Sequence, residues 1–267
     1  APGAISYIYY ADRLNQLPLG LIGIGLGTIL LPTLSRLLSN DQADEALEMQ
    51  NRGIELALFL TLPATAAFLS ISEPIVRGLF QYGAFSAEDT RATALVLAAF
   101  SLGLPAYVLI KVLTPGYYAR SDTRTPVRFA LVAIAVNIVG NIALIPTIGY
   151  LGPPIATAVS AAINAALLFW TLRKRGQFKA DARLLRRLPR LALAAAIMGG
   201  ALALALPLIR PFMAGDMVQR GVTLAVLVAA GGAVYIAASF LTGAFRLSDL
   251  KALRRRAPQP TSPEPEQ

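Results

Sequence analysis

The order of apolar and polar residues along this 267-residue chain predicts a membrane protein built from helices. An apolar stretch must hold about 20 helical residues to cross a bilayer. Seven stretches meet this length, at approximately 4–38, 53–71, 92–110, the two halves of 129–172, 191–209 and 221–245. The segment 129–172 carries no charge and exceeds one span, so the Pro- and Gly-rich run 146–154 is predicted to divide it. The fold class is therefore all-α, a polytopic membrane helix bundle of about seven transmembrane helices.

Local signals refine the boundaries of these spans. Pro18 has no N–H to donate to the helix and predicts a kink one turn after Arg13. The polar segment 39–52 is predicted to be a short separate helix outside the hydrocarbon, and residues 72–74 are predicted to end the second span. Ser86 is a candidate N-cap for the next helix, because acidic residues occupy the first turn that follows.

Composition excludes several kinds of chemistry. Apolar residues make up 55% of the chain and charged residues 15%, and there is no His and no Cys. Zinc sites of the usual His and Cys type, disulfides, thiol nucleophiles and His-based triads are thereby excluded. The sequence also lacks a Walker loop, a dinucleotide fingerprint and a serine elbow. We therefore expect no enzyme activity and no metal or organic cofactor.

The net charge of +9 is best explained by membrane topology. Of the 24 Lys and Arg residues, nineteen follow spans one, three, five and seven, and four lie on the opposite side. Such a bias marks the cytoplasmic side, so the C-terminus is predicted to be cytoplasmic and the first helix to begin outside. The basic residues are expected to contact anionic lipids, and no nucleic acid is expected.

The same pattern divides the chain into four regions. Residues 1–172 hold five spans, and 173–190 form a basic cytoplasmic loop. Residues 191–245 hold two additional spans, and 246–267 form a cytoplasmic tail that is basic at first and then Pro-rich and disordered. The chain begins Ala-Pro-Gly and has no signal peptide, so it is expected to be the C-terminal piece of a longer protein.

The first span begins with the strongest candidate site. On a helix, Ser6, Tyr9, Arg13 and Gln16 share one face, and Asp12 lies about 100° away, where it is able to orient Arg13. This face offers a cation, hydroxyls and an amide, which suit an anionic headgroup because Arg binds phosphate oxygens bidentately. The alternative is a juxtamembrane anchor, with Tyr in the interfacial belt and Arg reaching toward water.

Polar residues inside the later spans form a second, weaker candidate site. Asn137 and Asn141 lie one turn apart on the fourth span, and Thr157 and Ser160 lie on the fifth. Their oxygens are able to bind a small cation, but hydrogen bonding between the two helices is the favoured interpretation. Lys111 follows the third span and is interpreted as an anchor at the cytoplasmic surface.

Several motifs of the chain resemble those of the MurJ/MviN lipid II flippase family. The motifs are Tyr9-Tyr10-Ala11-Asp12-Arg13-Leu14, Leu17-Pro18-Leu19-Gly20, the segment 28–36, the outer loop 79–90 and the inner hinge 111–126. They occur in order and cover nearly the whole chain. The resemblance implies a fourteen-helix transporter of the multidrug/oligosaccharidyl-lipid/polysaccharide exporter superfamily, made of two six-helix lobes and two extra C-terminal helices. This chain would supply the second lobe and the two extra helices.

The resemblance also implies a function. The family carries lipid II, the lipid-linked peptidoglycan precursor, from the inner to the outer leaflet of the bacterial cytoplasmic membrane by alternating access. Arg13 corresponds to a cavity arginine of the family, with Asp12, Ser6 and Gln16 beside it. Asn137, Asn141 and Thr157 fall near a Na⁺ site of some members, so coupling to Na⁺ or to the membrane potential is implied. The implied partners are lipid II, membrane lipids and the N-terminal half of the same protein.

Three other functions stay open beside this one. An exporter of another polyprenyl-linked glycan would use the same chemistry on a different substrate. A non-transporting membrane scaffold would not need Arg13. A membrane enzyme acting on polyprenyl phosphates is disfavoured, because such enzymes use acidic clusters or His near the headgroup, and this chain has one acid in its first span and no His.

Overall fold

A computed structural model describes residues 3–244, which form a bundle of α-helices with no strand among them. The helices in chain order are α1 (Ala4–Ser39), α2 (Ala43–Phe80), α3 (Ala87–Ser101), α4 (Leu104–Tyr118), α5 (Arg124–Ile148), α6 (Gly152–Lys174), α7 (Ala182–Ile209) and α8 (Met217–Leu241). Short 3₁₀ turns join α5 to α6 and α7 to α8. The predicted all-α class is confirmed. The predicted tail, 246–267, lies outside the described residues.

Six stretches of the described chain are long and apolar enough to cross a membrane. One of them, Arg124–Lys174, has 51 residues and contains both α5 and α6. These two helices fold back on each other, because the Asn137 amide on α5 donates to Thr157 Oγ1 on α6 at 3.1 Å. A turn through Gly149, whose φ is +58°, makes the reversal possible. Dividing this pair at the predicted boundary gives the seven predicted spans.

Helix α2 differs from its prediction at both ends. The polar segment 39–52 is not a separate helix, because α2 begins at Ala43 and continues without interruption into the apolar span. Buried Gln50 and Asn51 lie on this polar part, so the bundle holds it in place. Residues 72–74 do not end the helix, which reaches Phe80.

The backbone of α2 does leave helical geometry just before that point, at Ile71, with φ −128° and ψ 27°. Pro74 explains the break, because proline cannot donate to the carbonyl four residues earlier and fits best in the first turn of a helix. The predicted stop is therefore a kink. In α1 the backbone stays helical through Pro18, and a bend there stays a prediction.

The predicted basic loop 173–190 is mostly helical. Helix α6 continues to Lys174 and α7 begins at Ala182, so the connection is about seven residues long. Asp181 caps α7 by accepting a hydrogen bond from the Leu184 N–H at 2.6 Å. Positive charge does not prevent a helix from forming, because Arg is a good helix former.

The apolar core has two main clusters, and α1 contributes to both. Ala11 and Leu14 pack with side chains of α2, α3, α7 and α8. Ile22, Leu26 and Leu30 pack with side chains of α2, α4 and α6. These five residues define the buried face of α1. The opposite face, which carries the candidate site, is exposed.

Candidate functional site

The predicted face of α1 carries a connected polar group. Arg13 Nη1 donates to Gln16 Oε1 at 3.2 Å, and Gln16 Nε2 in turn donates to Asp12 Oδ2. The guanidinium also lies over the Tyr9 ring, 4.9 Å from its centroid. Asp12 thus orients Arg13 indirectly, through the amide of Gln16.

This polar group is exposed because the other side of the helix is buried. Ala11 is fully buried and Leu14 is 5% exposed, whereas Arg13 and Gln16 belong to the exposed class. A helix that buries residues 11 and 14 must turn residues 13 and 16 away from them. All contacts of Arg13 among the described residues are made within α1, so most of its five N–H groups remain available to a ligand.

Ser6 lies at a different feature of the structure. It lines a cavity of about 370 Å³ at the start of α1, together with Tyr7, Tyr10, Phe85 and Asp89 among others. Tyr10 packs against Phe85, with ring centroids 5.4 Å apart, and Tyr7 donates to Asp89 Oδ1 at 2.8 Å. The structure therefore brings Asp12, Arg13 and Gln16 together and leaves Ser6 about two helical turns away.

The loop that closes this cavity ends at a well-formed helix cap. Ser86 accepts a hydrogen bond from the Asp89 N–H at 3.1 Å, and Asp89 Oδ2 accepts one from the Ser86 N–H at 2.8 Å. Both halves of a capping box are present, and the predicted N-cap is confirmed.

The second candidate site forms a hydrogen-bonded link between α5 and α6. Besides the bond from Asn137 to Thr157, Asn141 Nδ2 donates to Asn137 Oδ1 at 3.0 Å. Thr157 Oγ1 donates to the Pro153 carbonyl at 2.8 Å. The structure thus brings Asn137, Asn141 and Thr157 together as predicted.

The donor set does not fit a Na⁺ site built from this chain alone. Oxygens of Asn137 and Thr157 already accept hydrogen bonds from amide groups. The whole segment 124–174 contains no Asp or Glu that could balance a cation. The arrangement suits helix pairing, which is the interpretation favoured from the sequence, and we derive no transport step from an ion here.

Sequence reasoning missed a charged cluster at the junction of α2 with α7. Glu55 accepts hydrogen bonds from Arg52, Arg183 and Arg187, and Arg52 also pairs with Asp181. The side chains of Glu55 and Arg187 are only 12% and 9% exposed. The i, i+3 spacing of Arg52 and Glu55 and the i, i+4 spacing of the two α7 arginines were visible, but nothing in the sequence placed one pair against the other.

The connection between α4 and α5 is a polar turn. Asp122 Oδ1 accepts from the Thr125 N–H at 3.0 Å, and Asp122 Oδ2 accepts from Thr125 Oγ1 and Arg175 Nη1, both at 2.7 Å. The hydrogen bonds from Thr125, supported by Arg175, lower the pKa of Asp122 to about 2. This turn therefore fixes the start of α5 and joins it to the end of α6.

Comparison with known proteins gives one consistent result. A family model described as "Lipid II flippase MurJ" matches residues 1–223. The chain is 47% identical over 264 residues to a protein of Rhizobium meliloti (strain 1021) named "Probable lipid II flippase MurJ", covering 98% of this chain and 49% of that one. A protein of the same name from Vibrio cholerae serotype O1 is 40% identical over 250 residues, covering 94% and 47%.

A solved structure agrees with these relatives. It is titled "Lipid II flippase MurJ, inward closed conformation", and it matches with a TM-score of 0.74 and 26% sequence identity over 94% of this chain and 49% of that one. The chain therefore spans about half the length of the curated relatives it matches.

Proposed function

This chain belongs to the MurJ lipid II flippase family, and on that premise we propose that it forms the C-terminal half of a lipid II flippase. The complete protein would carry lipid II from the inner to the outer leaflet of the bacterial cytoplasmic membrane by alternating access between two lobes. An N-terminal half of the same protein would supply the first lobe and close the cavity. No catalytic step is part of this proposal.

The exposed guanidinium of Arg13 carries the proposal. No other charged residue lies between Asp12 and Arg36 on α1, so this pair begins a long uncharged segment. Charges near the hydrocarbon are costly, by about 2.5 to 3.5 kcal/mol each at the bilayer centre on the lowest scale, and they persist where they meet water, a partner or a substrate. An arginine held by Gln16 and presented to an open face is suited to the pyrophosphate of a lipid carrier.

The orientation in the membrane follows from the charge distribution. The excess of Lys and Arg after alternate spans supports a cytoplasmic C-terminus and an outer start of α1. Arg13, nine residues after the start of α1, then lies toward the outer leaflet. Large apolar side chains such as Leu21, Leu204 and Leu241 are more than three-quarters exposed, which supports contact with lipid or with the other lobe.

The test of this function is a complementation experiment with the full-length protein. Cells depleted of their own flippase would receive the wild type, Arg13→Ala, Arg13→Lys or Arg36→Ala. We expect Arg13→Ala to abolish growth and the appearance of lipid II at the outer face, and Arg13→Lys to retain partial function because it keeps the charge and loses the bidentate geometry. Arg36→Ala removes an exposed arginine from the last turn of the same helix and should leave growth normal.

Normal growth with Arg13→Ala at wild-type protein levels would contradict the proposal and favour a scaffold. If Arg13→Ala blocks growth while the outer-face lipid II of the wild type is no higher than in empty cells, the substrate is another polyprenyl-linked glycan.

A further inference from the structure

Lys111 occupies an unusual position against the middle of α1. Its side chain lies over Gly23 so closely that a Cβ at Gly23 would be 2.9 Å from Lys111 Cε and 3.3 Å from Nζ. The next two residues on α4, Val112 and Leu113, are buried in the core, whereas Lys111 is exposed. Among the described residues, none forms an ion pair or hydrogen bond with the Lys111 ammonium.

This position contradicts the interpretation of Lys111 as an anchor at the cytoplasmic surface. Gly23 lies ten residues after Arg13 and thirteen before Arg36, so it is near the centre of the uncharged part of α1. From the centre of the hydrocarbon, each interface is about 15 Å away, which is beyond the reach of a lysine side chain. Lys111 therefore needs water, a partner or an anionic ligand at this depth.

The surroundings of Lys111 continue the polar face that carries Arg13. On α1, Asp12, Gln16 and Gly23 are spaced at i, i+4 and i+11 and share one side of the helix. On α4, the residues that share the side of Lys111 are also polar: Tyr107, Thr114 and Tyr118, at i−4, i+3 and i+7. A polar strip thus runs from the start of α1 to the exposed side of α4, where a lipid-facing surface would be apolar.

We propose that Lys111 is a second cationic contact for the pyrophosphate headgroup, deeper in the cavity than Arg13. This inference rests on the proposed function. Ten residues of helix separate Arg13 from the level of Gly23, which is a distance of about 15 Å along α1. A headgroup that crosses about 30 Å of hydrocarbon cannot stay bound to Arg13 alone. Lys111 holds it at mid-depth, between the cytoplasmic entrance and Arg13.

The type of residue suits this role. A lysine ammonium is a compact charge with three rotating donors, whereas an arginine binds phosphate in a fixed bidentate geometry. A contact that must accept the headgroup and then release it toward Arg13 benefits from the less specific of the two. Gly23 contributes clearance, because any larger residue there would displace the lysine stem from α1.

The test measures lipid II binding to the purified full-length protein and lipid II export in cells. Lys111→Met keeps the length of the stem and removes the charge, and Lys111→Arg keeps the charge. We expect Lys111→Met to weaken lipid II binding about tenfold or more and to lower export in parallel, which is the usual effect of losing a hydrogen bond to a charged group. Lys111→Arg should restore most of the binding.

Two further arms separate charge from structure. Binding of undecaprenol, which has no phosphate, should be the same in Lys111→Met and the wild type. Gly23→Ala keeps the lysine and moves its ammonium, so it should weaken lipid II binding by less than Lys111→Met does. If Lys111→Met does not accumulate, the Gly23→Ala variant decides: unchanged lipid II binding in that variant would overturn the inference.

The outcomes for Lys111 and Arg13 are distinguishable. If Lys111→Met binds and exports lipid II normally while Arg13→Ala does not, the inference about Lys111 is wrong and the proposed function stands. If both variants export lipid II normally, the proposed function fails as well. Equal loss of lipid II and undecaprenol binding in Lys111→Met would show a structural role and would also overturn the inference.

Discussion

The junction of α2 with α7 and the exposed face of α1 and α4 use positive charge in opposite ways. At the junction, three arginines surround Glu55, and Arg52 also contacts Asp181. On the exposed face, Arg13 contacts only residues of its own helix, and Lys111 lies on a glycine. Charges of the first kind connect helices, and charges of the second kind remain available to a ligand.

The difference shows that charge composition alone does not identify a functional site. The junction is the richer of the two in arginine, and in a list of charged residues it would rank first. Burial reverses this order, because a buried charge that already has its partners cannot bind a substrate without losing them. The availability of a cation, rather than the number of cations, distinguishes the candidate site.

The junction should break most strongly when its central carboxylate is removed. Glu55→Gln leaves Arg187, whose side chain is 9% exposed, without its anionic partner. Loss of one partner of a buried ion pair destabilises proteins by about 3 to 5 kcal/mol. We expect a loss near the lower end of this range, about 3 kcal/mol, measured by thermal unfolding of the purified full-length protein, with lipid II affinity of the folded fraction unchanged.

Glu73→Gln is the matched control for this change. Glu73 pairs with Arg77 one turn away on the same helix at 2.7 Å, and its side chain is 44% exposed. Exposed pairs of this spacing contribute about 0.5 kcal/mol or less. Equal effects of Glu55→Gln and Glu73→Gln would show that the junction does not connect α2 to α7 as described.

A smaller effect is expected at the N-cap of α3, on the outer side of the bundle. Ser86→Ala removes the hydroxyl that accepts from the Asp89 N–H and should lower the free energy of unfolding by about 1 kcal/mol. Ser39→Ala is the control, because Ser39 Oγ only donates to the Arg36 carbonyl at the exposed end of α1. A stability loss in Ser39→Ala as large as that in Ser86→Ala would contradict the capping role. Neither variant should change lipid II binding.

Asp122 should produce a weaker, pH-dependent effect. Its pKa is lowered from 3.8 to about 2, so the carboxylate stabilises the folded state above pH 4 and loses this contribution as the pH falls through 2. Because the side chain is 24% exposed, we expect under about 1 kcal/mol. Asp122→Asn should be less stable than the wild type at pH 5 and equally stable at pH 2, by thermal unfolding. A constant difference across this range would contradict the role of the ionised carboxylate.

The general fold could be predicted from the sequence because membrane spans have a strong periodic and compositional signal. Helix ends were harder to predict. The criterion of about 20 apolar residues describes the hydrocarbon, whereas α1 and α2 have 36 and 38 residues and extend beyond it. The polar start of α2 and the arginines after Asp181 were assigned to separate segments because their composition is polar. Packing against other helices decides their structure, and the sequence does not show it.

The candidate site was predicted in part. The angular spacing of Asp12, Arg13 and Gln16 placed them together correctly, because neighbours one turn apart meet on any helix. Ser6 shares their direction but lies seven residues from Arg13, about 10 Å along the axis, and side chains from other helices surround it instead. Lys111 was placed too near the membrane surface because its depth depends on how α4 packs against α1.

The smallest effect is expected at the polar link of α5 with α6, which resembles the junction in having its groups paired. Replacing Na⁺ by K⁺ at constant ionic strength should change neither lipid II export nor the thermal stability of the protein, because the oxygens of Asn137 and Thr157 already accept hydrogen bonds. Asn137→Ala should instead cost about 0.6 kcal/mol, the average for a hydrogen bond between membrane helices. The contrary result is stability that rises with Na⁺ and loses this dependence in Asn141→Ala, since a ion bound only by the folded state stabilises it in proportion to RT ln(1 + [Na⁺]/Kd). That outcome would move this cluster from the paired class to the ligand-binding class, beside Arg13 and Lys111.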